Sequence, residues 1–359
     1  MQMRPWFGPE EKKAIAEYMD EDGFITEFKR TEKFEEMIAE YTGAKYCIVV
    51  NNGTISLTLA AIAHGIGPGD EVIVPNYTMI ATPNSVKMIG AVPVFVDVEA
   101  ETLSLDINRA REAITPKTKA IIYVSANGRH PSYGIEQLIE LSRQTGIPII
   151  EDSAQSLGSL YPNKRHVGTM GSVGSFSFSA PKIISTGQGG CLVTDDDQLA
   201  FKLRRLKDFG RSGGGNDIHD SIGYNFKFTE LQACIGIEQM KKLPLRVVRK
   251  KEIAKRYEKN LEGINQIKLF KHDFSVTVPW FIDCLCENRN SLQEHLKANK
   301  IGTRVMYPPI NKQKAYNTDG NFPVANLVGE KGLWLPSSNQ LTDDEVDYVC
   351  EKIKDFYSL

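Results

Sequence analysis

Long apolar runs, paired cysteine motifs and an excess of charge of either sign are all missing from this chain. No run approaches the length of a membrane span, and the opening segment MQMRPWFGPEEKK lacks the apolar core of a signal peptide. The expectation is a cytoplasmic protein that does not enter a membrane. Forty-three lysines and arginines stand against 45 acidic residues, a formal net charge of −2. Such a chain has no basic field for nucleic acid or an anionic membrane. Six cysteines (Cys47, Cys191, Cys234, Cys284, Cys286 and Cys350) form no CxxC pair and no metal-ligand spacing, so they read as reduced core thiols. His64, His130, His166, His219, His272 and His295 likewise show no pairing that suggests a metal or a nucleophile triad. No metal is expected, and there is no repeat or low-complexity segment.

Short β-branched runs alternating with helical patterns fill the first half of the chain. They are YCIVV at Tyr46, EVIVP at Glu71, VPVFVDV at Val92, AIIYV at Ala120 and IPIIE at Ile147. The alternation predicts an α/β fold with a mostly parallel sheet wrapped by helices. SFSFS at Ser175 and GCLVT at Gly190 read as two further strands. With 359 residues the chain exceeds the usual single-domain size. We expect a large domain over 1–244, then a linking helix over 245–261 and a small C-terminal α/β domain reaching 359. The small domain is expected to hold a strand over 276–286, a helix near 291–300 and a capped amphipathic helix over 343–356.

The richest stretch is SFSFSAPKIISTGQGG, Ser175 to Gly190, in which Lys182 is the one charged residue between Gly171 and Thr194. About thirty residues upstream, IPIIEDSAQ ends an apolar strand in two carboxylates. Pyridoxal 5′-phosphate needs an amine for its aldehyde, an anion beside its ring nitrogen and neutral donors around its phosphate. Lys182, Asp152 and Ser177 supply those groups in turn. Partial burial would lower the pKa of Lys182 and so favour the neutral amine. Gly53 and Thr54, after the strand at Tyr46, would open a helix whose orphan amides suit a phosphate. Read singly, Lys182 is equally a surface lysine, Asp152 a strand-end acid and Gly53-Thr54 a turn with an N-cap.

Taken together these segments resemble the DegT/DnrJ/EryC1/StrS aminotransferases, which act on nucleotide-linked keto sugars. The resemblance runs over essentially the whole chain, through FGPEE at Phe7, NNGTISL at Asn51, GPGDEVIVPNYTMIAT at Gly67, AVPVFVDV at Ala91, IEDSAQSLGS at Ile150, GYNFKFTELQACIGIEQMKKL at Gly223 and YPPI at Tyr307. It implies the fold-type I architecture with a seven-stranded central sheet and Lys182 as the Schiff-base lysine. Asp152 would face the ring nitrogen, Gln155 the phenolic oxygen, and Ser177 with Gly53 and Thr54 the phosphate. Asn225 would reach the cofactor of a partner subunit, which makes a homodimer with shared sites the expected active form.

Three departures bear on substrate and cofactor contacts. Where family members place an aromatic ring over the cofactor, this chain has Met79, which packs differently. Tyr77, two residues earlier, and Tyr307 are candidates to line the sugar pocket. The family's His-x-x-Gly-x-x-x-Asp segment reads VSANGRHPSYGIEQ, Val124 to Gln137, without the first histidine or the acid. Within it Arg129 either reaches a substrate phosphate or is solvated. The Asn-x-Arg-Met run reads Asn225, Phe226, Lys227, Phe228. The resemblance implies transfer of an amino group from L-glutamate to the 4-keto group of a nucleotide-diphospho-4-keto-6-deoxyhexose, with the cofactor alternating between pyridoxal and pyridoxamine 5′-phosphate. The product would be a 4-amino-4,6-dideoxy sugar of the perosamine or viosamine type. A 3-keto-sugar aminotransferase, a dehydratase or lyase, and a non-catalytic regulator of the same fold are the alternatives. Retention of Lys182 speaks against the dehydratase branch that carries histidine in its place and against the regulator, whereas a lyase would use the same lysine and aspartate.

Overall fold

The computed structural model describes residues 2–211 and 217–358. The β-branched runs become β1 (Tyr46–Val50), β2 (Glu71–Pro75), β3 (Val92–Val96), β4 (Thr118–Val124), β5 (Ile149–Asp152), β6 (Val173–Ser177) and β7 (Gly190–Thr194). They form a seven-stranded sheet in the order β1-β7-β6-β5-β4-β2-β3. The β2–β3, β2–β4, β4–β5 and β5–β6 pairs are parallel, and only β7 runs against its neighbours β1 and β6. The mostly parallel seven-stranded sheet is therefore as the sequence predicts.

Alternation along each strand sends side chains to two separate cores. Ile48, Val72, Ile122, Ile150 and Leu192 meet one layer of helices. Val49, Phe176, Cys191 and Val193, with Ile73 and Tyr123 further along the sheet, face the other. The helices on these faces are α1 (Pro9–Asp20), α2 (Lys29–Thr42), α3 (Gly53–Ala63), α4 (Ala81–Lys87), α5 (Ile107–Glu112), α6 (Ile135–Thr145) and α7 (Asp197–Lys207). All six cysteines are buried and free.

The helix α8 (Glu230–Asn260) is longer than the sequence suggests, because it continues through Pro244 where a break is the natural expectation. Buried Arg246, two residues on, ties this stretch down by donating to the carbonyls of Ile183 and Trp6. A second sheet follows, with β8 (Ile267–Leu269), β9 (Ile282–Cys286), β10 (Arg304–Val305) and β11 (Gly332–Leu335) in the antiparallel order β10-β11-β9-β8. It packs with α9 (Arg289–Ala298), α10 (Pro323–Lys331) and α11 (Asp343–Phe356). Thr342 and Glu345 close a capping box at the start of α11.

The strand expected over 276–286 is shorter than read. Its first half does not join the second sheet but docks on loops of the first: Val278 N–H donates to Ser159 Oγ at 2.9 Å, and Leu160 N–H to the Val276 carbonyl at 2.8 Å. This detour carries Trp280 across to the first sheet. Among the described residues no helix is long and apolar enough to cross a membrane, and no cluster of side chains could hold a metal ion.

Candidate active site

Open α/β sheets bind ligands beyond the carboxyl ends of their parallel strands, and the candidate residues gather there. β1 leads through Asn51 into α3. Asn52 caps the helix by accepting the Ile55 N–H at 2.9 Å. A Cβ at Gly53 would lie 2.8 Å from the Ser177 Cβ, and one at Gly190 would lie 2.7 Å from the Gly53 nitrogen. Only glycine lets the helix end sit this close to β6 and β7. Ser56 and Ser175 hydroxyls, 2.5 Å apart, fasten the next turn of the helix to the sheet. The N–H groups of Gly53 and Thr54, which a first turn leaves without intrahelical acceptors, stand beside Ser177 at the positive end of the helix.

β5 ends in two adjacent carboxylates with opposite surroundings. Glu151 is wholly buried and accepts hydrogen bonds from Tyr161 Oη and the backbone N–H groups of Gly168, Met170 and Gly171, so it organises a loop. Asp152, also buried, accepts from Thr82 Oγ1 at 2.7 Å and from Ala154 N–H at 3.3 Å. Thr82 is 2.8 Å from the hydroxyl of Thr78. Burial pushes the Asp152 pKa up, while the Thr82 hydroxyl and the charge of Lys182 pull the other way.

Lys182 lies after β6 with its Nζ 4.1 Å from the centroid of the Trp280 ring. The indole N–H of the same tryptophan donates to the Pro181 carbonyl at 2.8 Å. Trp280 thus holds both the lysine and its turn. Burial pulls the Lys182 pKa down to about 8; the Asp152 carboxylate opposes this and the Arg304 charge adds to it. Trp280 is itself held by Asn127, whose carbonyl accepts the Trp280 N–H and whose side-chain amide makes a two-way bond with the backbone of Phe281. Gln155 closes the chain by accepting the Asn127 N–H through Oε1 at 2.6 Å. Its amide nitrogen is left as the donor.

Of the remaining expected residues, Tyr77 and Tyr307 share one aromatic cluster, 6.1 Å between centroids, and Tyr307 stands edge-on to Trp334 at 4.7 Å. Tyr77 is buried and its hydroxyl pKa is raised well above the usual value by desolvation. Met79 is 44% exposed, three residues before Thr82, and its sulfur accepts the Ala81 N–H. Asn225 is exposed on a segment bridged to Asp208, and no hydrogen bond ties its side chain to Lys182 or Asp152 of the same chain.

The reading of Arg129 as a substrate-phosphate ligand or a solvated side chain is corrected by its surroundings. Arg129 is buried, paired bidentately with Asp283 at 2.7 and 3.0 Å, bonded through Nε to the Thr102 carbonyl and in contact with His272. Its guanidinium is engaged in joining the two sheets. Thr82, Asn127, Trp280 and Arg304 are the site neighbours that the sequence reading passed over. The ATPNS run after Met79 and the Trp in VTVPWF were visible signals for Thr82 and Trp280, but nothing in one dimension says what they touch.

Residues 6–354 match the DegT/DnrJ/EryC1/StrS aminotransferase family. The chain belongs to this family. It is similar to the GDP-perosamine synthase of Escherichia coli O157:H7, 37% identical over 99% of this chain and 98% of that protein. It is also 34% identical to the UDP-2-acetamido-2-deoxy-3-oxo-D-glucuronate aminotransferase of Pseudomonas aeruginosa, over 89% of this chain and 88% of that one. Among solved structures, the PLP-form of a putative sugar aminotransferase from Streptococcus pneumoniae superposes with a TM-score of 0.92 at 27% identity, covering 100% of this chain and 98% of that chain. The protein is an aminotransferase of the sugar-modifying family, and the family implies pyridoxal 5′-phosphate. The local donor set fits such a group, with a glycine-lined helix N-terminus beside Ser177 for a phosphate, a buried carboxylate for a ring nitrogen, and a half-buried amine whose charge that carboxylate feels.

Proposed function

We propose that this aminotransferase moves an amino group from L-glutamate to the 4-keto carbon of a nucleotide-diphospho-4-keto-6-deoxyhexose, giving a 4-amino-4,6-dideoxy sugar of the perosamine or viosamine type. The observation that carries the chemistry is a lysine held on an indole face near neutral proton affinity, opposite a buried carboxylate. Full-length similarity to GDP-perosamine synthases supports the choice of sugar. The amide N–H groups of Gly53 and Thr54 and the Ser177 hydroxyl would hold the cofactor phosphate. Asp152 would keep the ring nitrogen protonated, Gln155 would donate to the phenolic oxygen, and Met79 would cover the ring. When bound, pyridoxal phosphate supplies an electron-withdrawing ring that stabilises negative charge on the donor's α-carbon. Lys182 Nζ takes the proton from that carbon and, with the sugar in place, returns one to the carbon that gains nitrogen. A pKa near 8 leaves part of the lysine neutral at physiological pH, as a base requires. Tyr77 and Tyr307 would shape the sugar pocket.

The active form on this reading is a homodimer in which Asn225 completes the partner's site. Supporting it, Phe24, Ile25, Phe28, Ile222 and Tyr224 are exposed apolar side chains on two segments that the Thr26–Thr229 bridge and the Glu230 N–H to Ile25 carbonyl bond bring together. The P. aeruginosa relative, named for a 3-oxo substrate, favours a second reading in which the attacked carbon is C3. Spectroscopy tests the common chemistry first. The protein loaded with pyridoxal phosphate should absorb in the visible and lose that band on addition of glutamate, with release of 2-oxoglutarate. A panel of 3-keto and 4-keto nucleotide sugars then separates the two readings by which one yields an amino sugar. A band that glutamate leaves untouched would remove glutamate as the donor.

A further inference from the structure

Among the described residues no carboxylate or carbonyl is paired with Lys182 Nζ; the amine rests instead 4.1 Å from the centroid of the Trp280 ring. That ring is clamped. Trp280 is 4% exposed, stacks on Phe281 with centroids 3.8 Å apart, and meets the Trp334 ring edge-on at 5.9 Å. Its backbone N–H donates to the Asn127 carbonyl, and its own carbonyl accepts from Lys250 Nζ. The indole N–H donates to the Pro181 carbonyl at 2.8 Å, one residue before the lysine. One fixed ring therefore grips the backbone at Pro181 and offers its π system to the amine at Lys182.

An indole face attracts an ammonium through its quadrupole and does little for a neutral amine. When Lys182 takes the proton from the donor's α-carbon, the C–H electron pair stays with the substrate, the proton joins the Nζ lone pair, and a positive charge appears in a half-buried place. Desolvation opposes that charge. Of the charged groups around it, Asp152 at the end of β5 favours the ammonium and Arg304 of β10 opposes it, while Arg246 and Lys250 of α8 are engaged by the carbonyls of Ile183 and Trp280. We propose that Trp280 is a positioning residue for proton transfer, its indole face holding the Lys182 ammonium between the taking of one proton and the return of another, while its N–H fixes the turn from which the lysine reaches. The inference rests on the aminotransferase reading given above and adds a residue to it. An aromatic face suits the task, because a carboxylate paired with Nζ would keep the lysine protonated and unfit to act as a base.

The test separates the face of the ring from its bulk. Tryptophans of increasing fluorine content replace Trp280 alone, weakening the quadrupole step by step at nearly constant shape, and Trp280→Phe and Trp280→Leu are made alongside. In the full chain, the rate at which the visible band grows on mixing with pyridoxal phosphate, followed against pH, reports the proton affinity of Lys182, because only the neutral amine reacts. Its midpoint should move to lower pH as fluorine is added, and by about one pH unit in Trp280→Leu, the scale of one partly desolvated cation–π contact. Trp280→Phe should lie between, since it keeps a weaker face and loses the N–H. With glutamate added to the loaded protein at a pH above every midpoint, the limiting rate of band loss should fall in the same order, by about threefold to about tenfold. The half-saturating glutamate concentration should change far less. Glutamate deuterated at the α-carbon should show a larger isotope effect as the rate falls, because the step made slower is the one that moves that proton. A midpoint or a limiting rate indifferent to fluorine content overturns the proposal even if Trp280→Leu is impaired, for the ring is then packing alone. Should wild type form no visible band, or keep it whatever amino acid is added, the aminotransferase reading falls first, before any variant is made.

Discussion

Asp152 keeps its carboxylate in a buried place with only two hydrogen-bond donors among the described residues, so each of them matters to its charge state. Thr82 supplies the shorter bond, from Oγ1 at 2.7 Å. Thr82→Val removes that hydroxyl without changing side-chain size, and burial then dominates, moving the Asp152 pKa further up from its already raised position. Only the ionised carboxylate can hold a protonated ring nitrogen, so activity should fail at a higher pH than in wild type as the solution is acidified. A loss of about tenfold in kcat/KM, the scale of one hydrogen bond to a charged group, should deepen toward low pH in a pH–rate profile. An unshifted acid limb would show that Thr82 does not tune Asp152. The contrast between residues that could and could not be read from sequence follows the same geometry. Lys182, Asp152, Ser177 and Gly53 sit in local patterns whose chemistry is carried by their immediate neighbours. Thr82 meets Asp152 across 70 positions, Trp280 meets Pro181 across 99, and Arg129 meets Asp283 across 154. A side chain whose partner lies that far along the chain has no local signature, and Arg129 was misjudged for that reason.

α3 offers its N-terminal amides only because its first residue has no side chain. Gly53→Ala would drive a Cβ to 2.8 Å from the Cβ of Ser177 and 3.1 Å from its hydroxyl, and the nearest contacts include backbone as well as side chain. Either the helix end withdraws from β6 or the serine turns away, and both outcomes separate the donors that would share one phosphate. The expected effect is a rise of about tenfold or more in the concentration of pyridoxal phosphate needed to saturate the protein, the scale of one or two lost charge-assisted hydrogen bonds. Equilibrium dialysis or the growth of the visible band measures it, and an unchanged affinity would mean that the phosphate lies elsewhere. The strands of the first sheet were legible as short apolar runs, and α11 was legible to the residue from the capping residues at its start and its amphipathic spacing; β8, β10 and β11 were too short to be read. The elements misread were those under tertiary control. Pro244 marks a stop by local rules, yet α8 passes through it. The residues 276–281 have strand composition, yet their partners are Ser159, Leu160 and Asn127 in loops of the first sheet.

The two sheets are held to one another by buried polar contacts as well as by apolar packing, and two consequences can be measured on the whole molecule. Lys250 of α8 is 1% exposed and donates to the carbonyls of Trp280 and Ser337, with no acid paired to it among the described residues, so burial pulls its pKa down to about 7. The unfolded chain restores a value of about 10.4. Below pH 7 both states carry the proton and the burial penalty is fully present. Between about 7 and about 10 the folded state has released a proton that the unfolded state retains, so this lysine's contribution to stability improves as pH rises. Urea midpoints of wild type and Lys250→Met, taken at fixed protein concentration from about pH 6 to about pH 9.5, should diverge in favour of wild type toward the alkaline end. A constant difference would place the Lys250 proton affinity near its ordinary value. The proposed dimer makes a sharper demand. If Lys182 of one subunit works with Asn225 of the other, Lys182→Ala and Asn225→Ala homodimers each lack every complete site. A mixed dimer then has one site with both residues intact and one with neither. Random reassociation of equal amounts makes half the dimers mixed, so about a quarter of wild-type activity should return. Were Asn225 to serve its own chain, each site of the mixed dimer would still lack one residue and the mixture would stay as inactive as its components. The regain or its absence on mixing therefore decides whether the sites are shared.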